Sequence, residues 1–302
     1  MELVTQMAWL YGGNLSKEGE QVAQQIAEMA EWALVEEVRT TPKPGLVDCY
    51  SNGAHTDMNL QTFLKSAAAL RPYFKRMAEC GWLYYQTPER IFLKIREIGK
   101  EAERAMYRAT EGINTHKGLV FSIGILGAAA ASVYRRYGRF VREAVFATEQ
   151  KMVQKILFCE LAQQHMRPAT HGEAVYHKYG SMGARGEALT GYATVREVAL
   201  PMLESGMREE HEFELVKLQT LLALMGQVED SNILSRSSME RLREVQHMAR
   251  AFLNMGGMYR CDSTETMKKW DALFVQWNIS PGGSADLLAT TLFLYRLTGG
   301  NL

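Results

Sequence analysis

Gly118-Leu-Val-Phe-Ser-Ile-Gly-Ile-Leu-Gly-Ala-Ala-Ala-Ala-Ser-Val-Tyr134, closed by Arg135 and Arg136, is the stretch on which the fold turns. It is almost wholly apolar and sits at the short limit of a membrane span, roughly 17–25 residues. Its composition argues against a span, because glycine, alanine and serine stand where a lipid-facing helix would carry leucine. Small side chains let neighbouring helices approach closely, so the stretch predicts a helix buried at the centre of a bundle.

Helical periodicity continues on both sides of it. Ser16 is placed to cap a helix with Val22, Ile26, Met29, Ala33 and Leu34 on one face, ending before Pro42. Asp57 is expected to cap a second, in which Leu60, Phe63, Leu64, Ala67 and Leu70 recur at steps of three and four. Thr87-Pro88 reads as a helix start leading into Ile91, Ile95, Ile98 and Ala102. Further helices are predicted at 118–136, 141–165, 193–204, 211–226, 237–256, 263–277 and 284–297. No run of alternating β-branched residues is bounded by turn residues. The expectation is an all-α chain, one domain over 1–302, of ten or more helices around the small-residue helix. Arg167 to Tyr192, with five glycines, is expected to be a long irregular loop.

Composition narrows the function. Lys+Arg 34 against Asp+Glu 34 gives a formal charge of zero, so nothing points to nucleic acid or an anionic membrane. Any anionic ligand must be caught by local cations. Cys49, Cys80, Cys159 and Cys261 are scattered without metal spacing, as expected of a reduced cytoplasmic protein. Met1 to Gly13 carries Glu2 and lacks a basic start with a long apolar run, which argues against a signal peptide.

Five polar segments, four of them marked by glycine, interrupt the helices: 41–48 (TPKPGLVD), 114–118 (NTHKG), 184–188 (ARGEA), 229–232 (EDSN) and 280–286 (SPGGSAD). Pro42 and Pro44 stiffen the first, presenting Lys43 and Asp48. Asn52-Gly53-Ala54-His55 then leads to Asp57, a cap or, with Asp48, part of a hard-cation site. The second opens the small-residue helix, where free backbone N–H groups and the dipole favour phosphate. Lys117 is unfavourable to the helix there, which argues for an anionic partner. Gly282 and Gly283 permit a nest of amides before Ser284 and Asp286. Arg185 is suited to clamping phosphate, and Glu187 either binds metal or pairs with it. Asp230-Ser231-Asn232, followed by Arg236, sets two oxygen-bearing side chains two residues apart, as a metal site or an Asx-turn. Taken singly, each segment reads equally well as a cap or a ligand contact. Walker, Rossmann, nucleophile-elbow and H-E-x-x-H motifs are absent from the sequence.

In order and together, TPKPGLVD (41–48), NGAHTDM (52–58), TFLKSA (62–67), GINTHKG (112–118), RGEA (185–188), DSN (230–232) and SPGGSADLLA (280–289) resemble the triphosphoribosyl-dephospho-CoA synthase family. The match spans 41–289. Ser231 stands where that family's pattern has threonine, keeping the hydroxyl. The resemblance implies an all-helical transferase using ATP and 3′-dephospho-CoA. It joins C1′ of the ATP ribose to the acceptor's ribose 2′-hydroxyl, releases adenine and keeps the triphosphate. The product is the precursor of the prosthetic group of the citrate lyase acyl carrier protein, passed on to the enzyme that loads that protein; a sister branch serves malonate decarboxylase. Magnesium is the implied ion, and a homo-oligomer is compatible.

On that reading Lys43, Lys117, Arg185 and Arg236 bind phosphates, helped by Gly118, Gly282, Gly283 and Ser284. Asp48, Asp57, Asp230 and Asp286 share metal and general-base duty, with Glu187 and Asn232 in the metal set. His116 is a catalytic candidate, with His55 and His171, for proton transfer. The rival readings are a magnesium-dependent ADP-ribosyl hydrolase, with water as acceptor, and a non-catalytic helical binding protein.

Overall fold

The computed structural model describes residues 15–163 and 171–300. Thirteen α-helices and no strand occur among the described residues, as the all-α expectation requires. They are α1 (Lys17–Arg39), α2 (Leu60–Leu83), α3 (Pro88–Ala109), α4 (Lys117–Tyr137), α5 (Arg142–Gln163), α6 (His171–Tyr179), α7 (Gly183–Leu189), α8 (Leu200–Arg208), α9 (Phe213–Gln227), α10 (Ser231–Arg236), α11 (Met239–Asn254), α12 (Ser263–Gln276) and α13 (Gly282–Leu297). A π-helical turn, Val195–Ala199, precedes α8, and a 3-10 turn, Gly257–Tyr259, precedes α12.

Caps fix where these helices begin. Ser16 Oγ accepts from the Gly19 amide at 3.1 Å, and Glu18 and Glu20 in the first turn favour the positive end of the α1 dipole. For α2 the cap is Asn59, not Asp57. Asn59 Oδ1 accepts from the Thr62 amide at 3.1 Å while Thr62 Oγ1 accepts from the Asn59 amide at 3.2 Å, a reciprocal capping box. Asp57 lies two residues upstream with its carboxylate 61% exposed. Pro88 opens α3 as expected, although the Thr87 side chain makes no capping bond.

The small-residue helix α4 is the hub. It packs against α1, α2, α3, α5, α7 and α13, and Ala128 to Ala131 are fully buried. A β-carbon on Gly81 of α2 would overlap the Ala128 carbonyl, so the two backbones touch where the helices cross. A second hub, α13, meets α1, α4, α9 and α10. Both hubs therefore start at the polar segments that precede them.

Three sequence expectations need correction. The stretch 167–192 is not one irregular loop: 164–170 lie outside the described residues, and the remainder forms α6 and α7, packed on α10 and α5. Gly183 and Gly186 fall inside the seven-residue α7, so no apolar period marks it. The helix expected at 193–204 opens as a π turn and runs on to Arg208; Pro201 in the first turn of α8 has no N–H to give the turn before it. Asp230-Ser231-Asn232 does not merely link helices but starts one, α10. The signal-peptide reading of 1–13 falls outside the described residues.

Candidate active site

The five polar segments converge on the N-termini of α4, α10 and α13. A β-carbon on Gly118 would overlap Asp286 Oδ2, which ties the second segment to the fifth. The fourth meets the fifth where Asp230 accepts from Ser284, and the third begins where a β-carbon on Gly183 would sit 3.4 Å from Ser231 Oγ. The loop that continues the first segment closes against the fifth through His55 Nε2 and Ser280 Oγ, 2.9 Å apart.

Asp48 organises the first segment. Its Oδ2 accepts from the Lys43 amide at 2.6 Å, and its Oδ1 from the Tyr50 and Ser51 amides at 2.6 and 2.8 Å. The carboxylate is thus saturated by backbone donors and holds the loop rather than facing a ligand. Lys43 is 1% exposed; its ammonium is paired with Glu37 Oε1 and donates to the Glu37 carbonyl at 2.7 Å. Burial pushes the Glu37 carboxyl up, against the pull of Lys43. Asp271 on α12 holds the same loop from outside, accepting from the Gly45 amide at 2.9 Å and from Ser51 Oγ at 2.7 Å. A cavity of about 280 Å³ opens beside it, lined by Asp48, Tyr50, Ser51, Asn52, Asn59 and Gln61 among others.

Asp230 is a shared cap. Oδ1 accepts from the Asn232 and Ile233 amides of α10 at 3.0 and 3.4 Å. Oδ2 accepts from the Ser284 amide and hydroxyl of α13 at 2.8 and 3.0 Å. Gly283 and Gly282 allow the approach: β-carbons there would lie 3.1 Å from the Asp230 carboxylate and 2.8 Å from Asn232 Nδ2. Burial raises the Asp230 carboxyl despite these donors.

Asp286 differs from both. It stands in the first turn of α13, half-buried, without a hydrogen-bond partner for its side chain among the described residues. Burial first, then the Glu37 and Asp230 carboxylates, push its proton affinity well above the usual range. Among the described residues neither of its oxygens has a protein donor, whereas Asp48 and Asp230 accept from backbone amides and Glu187 keeps only Oε2 without a partner.

His116 caps the start of α4 by position. Its Nδ1 lies 2.7 Å from Ser66 Oγ, which accepts from Thr115 Oγ1 at 2.7 Å, while its Nε2 is buried without a partner. Burial and then the Lys43 charge lower it to about 3, so the ring is neutral and unsuited to shuttling a proton near pH 7.

The remaining predicted cations lie at the rim. Lys117, 43% exposed, pairs with Glu103 at 3.1 Å instead of standing free. Arg236 donates to the Ala54 carbonyl at 2.9 Å and lies 3.1 Å from His55 Nδ1, pinning the loop. Burial, then Arg236, lowers His55 to about 4, with Asp57 opposing. Arg185 and Glu187 sit on α7; Glu187 Oε1 accepts from Thr194 Oγ1 at 2.6 Å, and burial raises its carboxyl. The His171 side chain lies outside the described residues.

The structure also adds Glu37 and Ser66, which the sequence reading passed over. Both signals were present: Glu37 continues the buried face of α1 at Ile26, Ala30 and Leu34, and Ser66 lies beside Ala67 and Leu70 on the buried face of α2. A polar residue on an apolar stripe is the informative exception.

Two helix N-termini that meet at a carboxylate with no partner among the described residues make a site suited to an anionic substrate, in a fold without strands over those residues. Residues 23–301 match the family model described as ATP:dephospho-CoA triphosphoribosyl transferase. A protein of Vibrio cholerae serotype O1, named as a probable 2-(5''-triphosphoribosyl)-3'-dephosphocoenzyme-A synthase, is 38% identical over 274 residues, 90% of this chain and 88% of its own. The Klebsiella pneumoniae 2-(5''-triphosphoribosyl)-3'-dephosphocoenzyme-A synthase is 37% identical over 288 residues, 93% of each chain. A Streptococcus mutans relative, also named as a probable synthase, is 36% identical over 283 residues, 89% of this chain and 94% of its own. No solved structure matches. The chain belongs to the ATP:dephospho-CoA triphosphoribosyl transferase family and is a transferase.

Proposed function

We propose that this chain transfers the 5-triphosphoribosyl group of ATP to the ribose 2′-hydroxyl of 3′-dephospho-CoA and releases adenine. The observation that carries the reading is the unpaired Asp286 carboxylate pressed against Gly118, between the N-termini of α4 and α13. Breaking the C1′–N9 bond develops positive charge on the ribose, which a carboxylate at that point stabilises. As the carboxylate, the same group accepts the proton of the attacking 2′-hydroxyl and passes it to the purine nitrogen that keeps the electron pair of the broken C1′–N9 bond, so that neutral adenine leaves. The amides of Gly118 and Gly282 face the phosphates, with Lys117, Arg185 and Arg236 as rim cations, while the Gly283 amide is taken up by Asp230. Lys43, buried against Glu37, supports that electrostatics from beneath. Ser284, Asp48 and Asp230 act as scaffold.

The expected metal set of Asp48, Asp57, Glu187, Asp230 and Asn232 does not fit a protein-built magnesium site. Asp48 accepts from three backbone amides, Asp230 from backbone amides and the Ser284 hydroxyl, Asp57 is exposed beside His55, and Glu187 is held by Thr194 through Oε1 with only Oε2 unpartnered. Among the described residues no three His, Cys, Asp or Glu side chains converge to hold an ion. Magnesium therefore belongs to the substrate and enters on the triphosphate. The wording of the TPKPGLVD and NTHKG segments favours the citrate lyase branch over the malonate decarboxylase branch, with the product formed in the cytoplasm and handed to the enzyme that loads the carrier protein.

The test is incubation with ATP, magnesium and dephospho-CoA, with products identified by mass spectrometry. Adenine and a triphosphoribosyl adduct are expected, and Asp286→Asn should slow both by roughly 10²–10⁴-fold, the range of a positioned acid–base group. Adenine release that does not need dephospho-CoA would sink the transferase reading in favour of hydrolysis.

A further inference from the structure

A buried imidazole nitrogen without a partner calls for a reason, because an unmade hydrogen bond in the interior leaves a polar group desolvated with nothing in return. His116 has such a nitrogen, and its other one is not left to chance. Thr115 Oγ1 lies 2.7 Å from Ser66 Oγ and is placed to donate to it, the arrangement that directs the Ser66 hydrogen to the His116 Nδ1, also 2.7 Å away. In that arrangement Nδ1 is an acceptor and the ring hydrogen sits on Nε2. The ring is held from other sides as well: Phe63 meets it edge-on with centroids 5.0 Å apart, and the His116 amide donates to Met106 Sδ at 3.3 Å. Two residues on, Gly118 touches Asp286.

From this geometry we infer that Ser66 and Thr115 are positioning residues which lock His116 as the Nε2–H tautomer, a neutral donor kept for an acceptor nitrogen of the departing purine. The inference rests on the proposed transferase reading and deepens it. Loss of the base leaves electron density on the purine ring, which a fixed N–H relieves without adding a cation beside the developing ribosyl charge. An imidazolium would oppose that charge, and burial beside Lys43 keeps the ring neutral. The buried position means that the N–H is reached only as substrate enters and the surrounding side chains give way. His116 thus binds the leaving group, while Asp286 handles the proton.

The test begins with ligand-free, full-length protein carrying ¹⁵N-histidine. Two-bond ¹H–¹⁵N correlation should show His116 protonated on Nε2 and bare on Nδ1, unchanged between pH 6 and pH 8. Ser66→Ala should turn this into a tautomer mixture and lower kcat about tenfold, with KM for either substrate little changed. His116→Gln, whose amide reaches toward the Nε2 position, should keep more activity than His116→Asn, whose amide reaches toward Nδ1. A proton on Nδ1 in the wild type, or His116→Asn outperforming His116→Gln, would overturn the inference even if Ser66→Ala fails to fold. The tautomer is read without turnover, so wild-type protein that made no adduct would refute the transferase reading on its own.

Discussion

A carboxylate held against a glycine is sensitive to a single methyl group. Gly118→Ala would drive a β-carbon into Asp286 Oδ2, and displacing a reacting group by about 1 Å costs on the order of 10²-fold. The expected outcome is that loss in adenine release, with circular dichroism and thermal unfolding close to wild type because the N-terminus of α4 can absorb an alanine. A second residue-scale prediction lies outside the site. Glu149 on α5 is fully buried with both carboxylate oxygens unpartnered, and burial pushes it up from 4.5 to about 9. Below pH 4.5 folded and unfolded chains both hold its proton. As pH rises toward 9 only the unfolded chain releases it, so stability falls across that window, by at most about 1.4 kcal/mol per pH unit. Glu149→Met removes the ionisable group at similar volume. It should raise stability at pH 8 by about 1–3 kcal/mol and flatten the pH dependence of urea unfolding; an unchanged slope would assign the slope to other groups.

At the scale of elements, Asp230 shows how a residue type that looks chemical can be architectural. One carboxylate caps α10 and ties the first turn of α13 to it. Asp230→Ala removes a cap from each of two helix starts and should cost about 2–4 kcal/mol in denaturant titration. Activity would fall as α13 loses its anchor. Sequence reasoning found the segment because aspartate, serine and asparagine before an apolar run are both cap and ligand signals. It could not choose, since the choice depends on which amides from distant segments arrive at the oxygens. Asp48 illustrates the same point, its acceptors filled within its own loop. Lys43 looked like a phosphate ligand because the partner that buries it, Glu37, is hidden in the preceding helix as an ordinary member of an acidic pair. The long helices were legible because their apolar stripes run for four turns or more. Two short ones, α7 and α10, were not, having seven and six residues with glycine or polar caps and little stripe to read.

For the whole molecule the decisive term is how closely α2 and α4 approach. α4 is long and apolar enough to cross a membrane by length and composition alone, but most of it is buried inside the bundle by six neighbouring helices. That burial requires missing side chains at the crossings, and Gly81 supplies the tightest of them, against the Ala128 carbonyl. Adding a β-branched side chain there forces the helix axes apart, and because α4 also touches α1, α3, α5, α7 and α13, the displacement reaches the whole core and the N-terminus that holds His116 and Gly118. Gly81→Val should therefore cost more than about 3 kcal/mol, beyond the ordinary range of overpacking, and lower activity through the same movement. Gly99 provides the contrast inside α3. A β-carbon there would meet Met77 Cε at 3.8 Å and Val120 Cγ1 at 4.0 Å, which is ordinary contact. Gly99→Ala should be stabilising by about 0.4–1 kcal/mol, through the reduced freedom of the unfolded chain. Thermal unfolding of the two variants side by side checks the argument. If Gly81→Val melts like wild type, the α2–α4 crossing is not the constraint that sets the bundle.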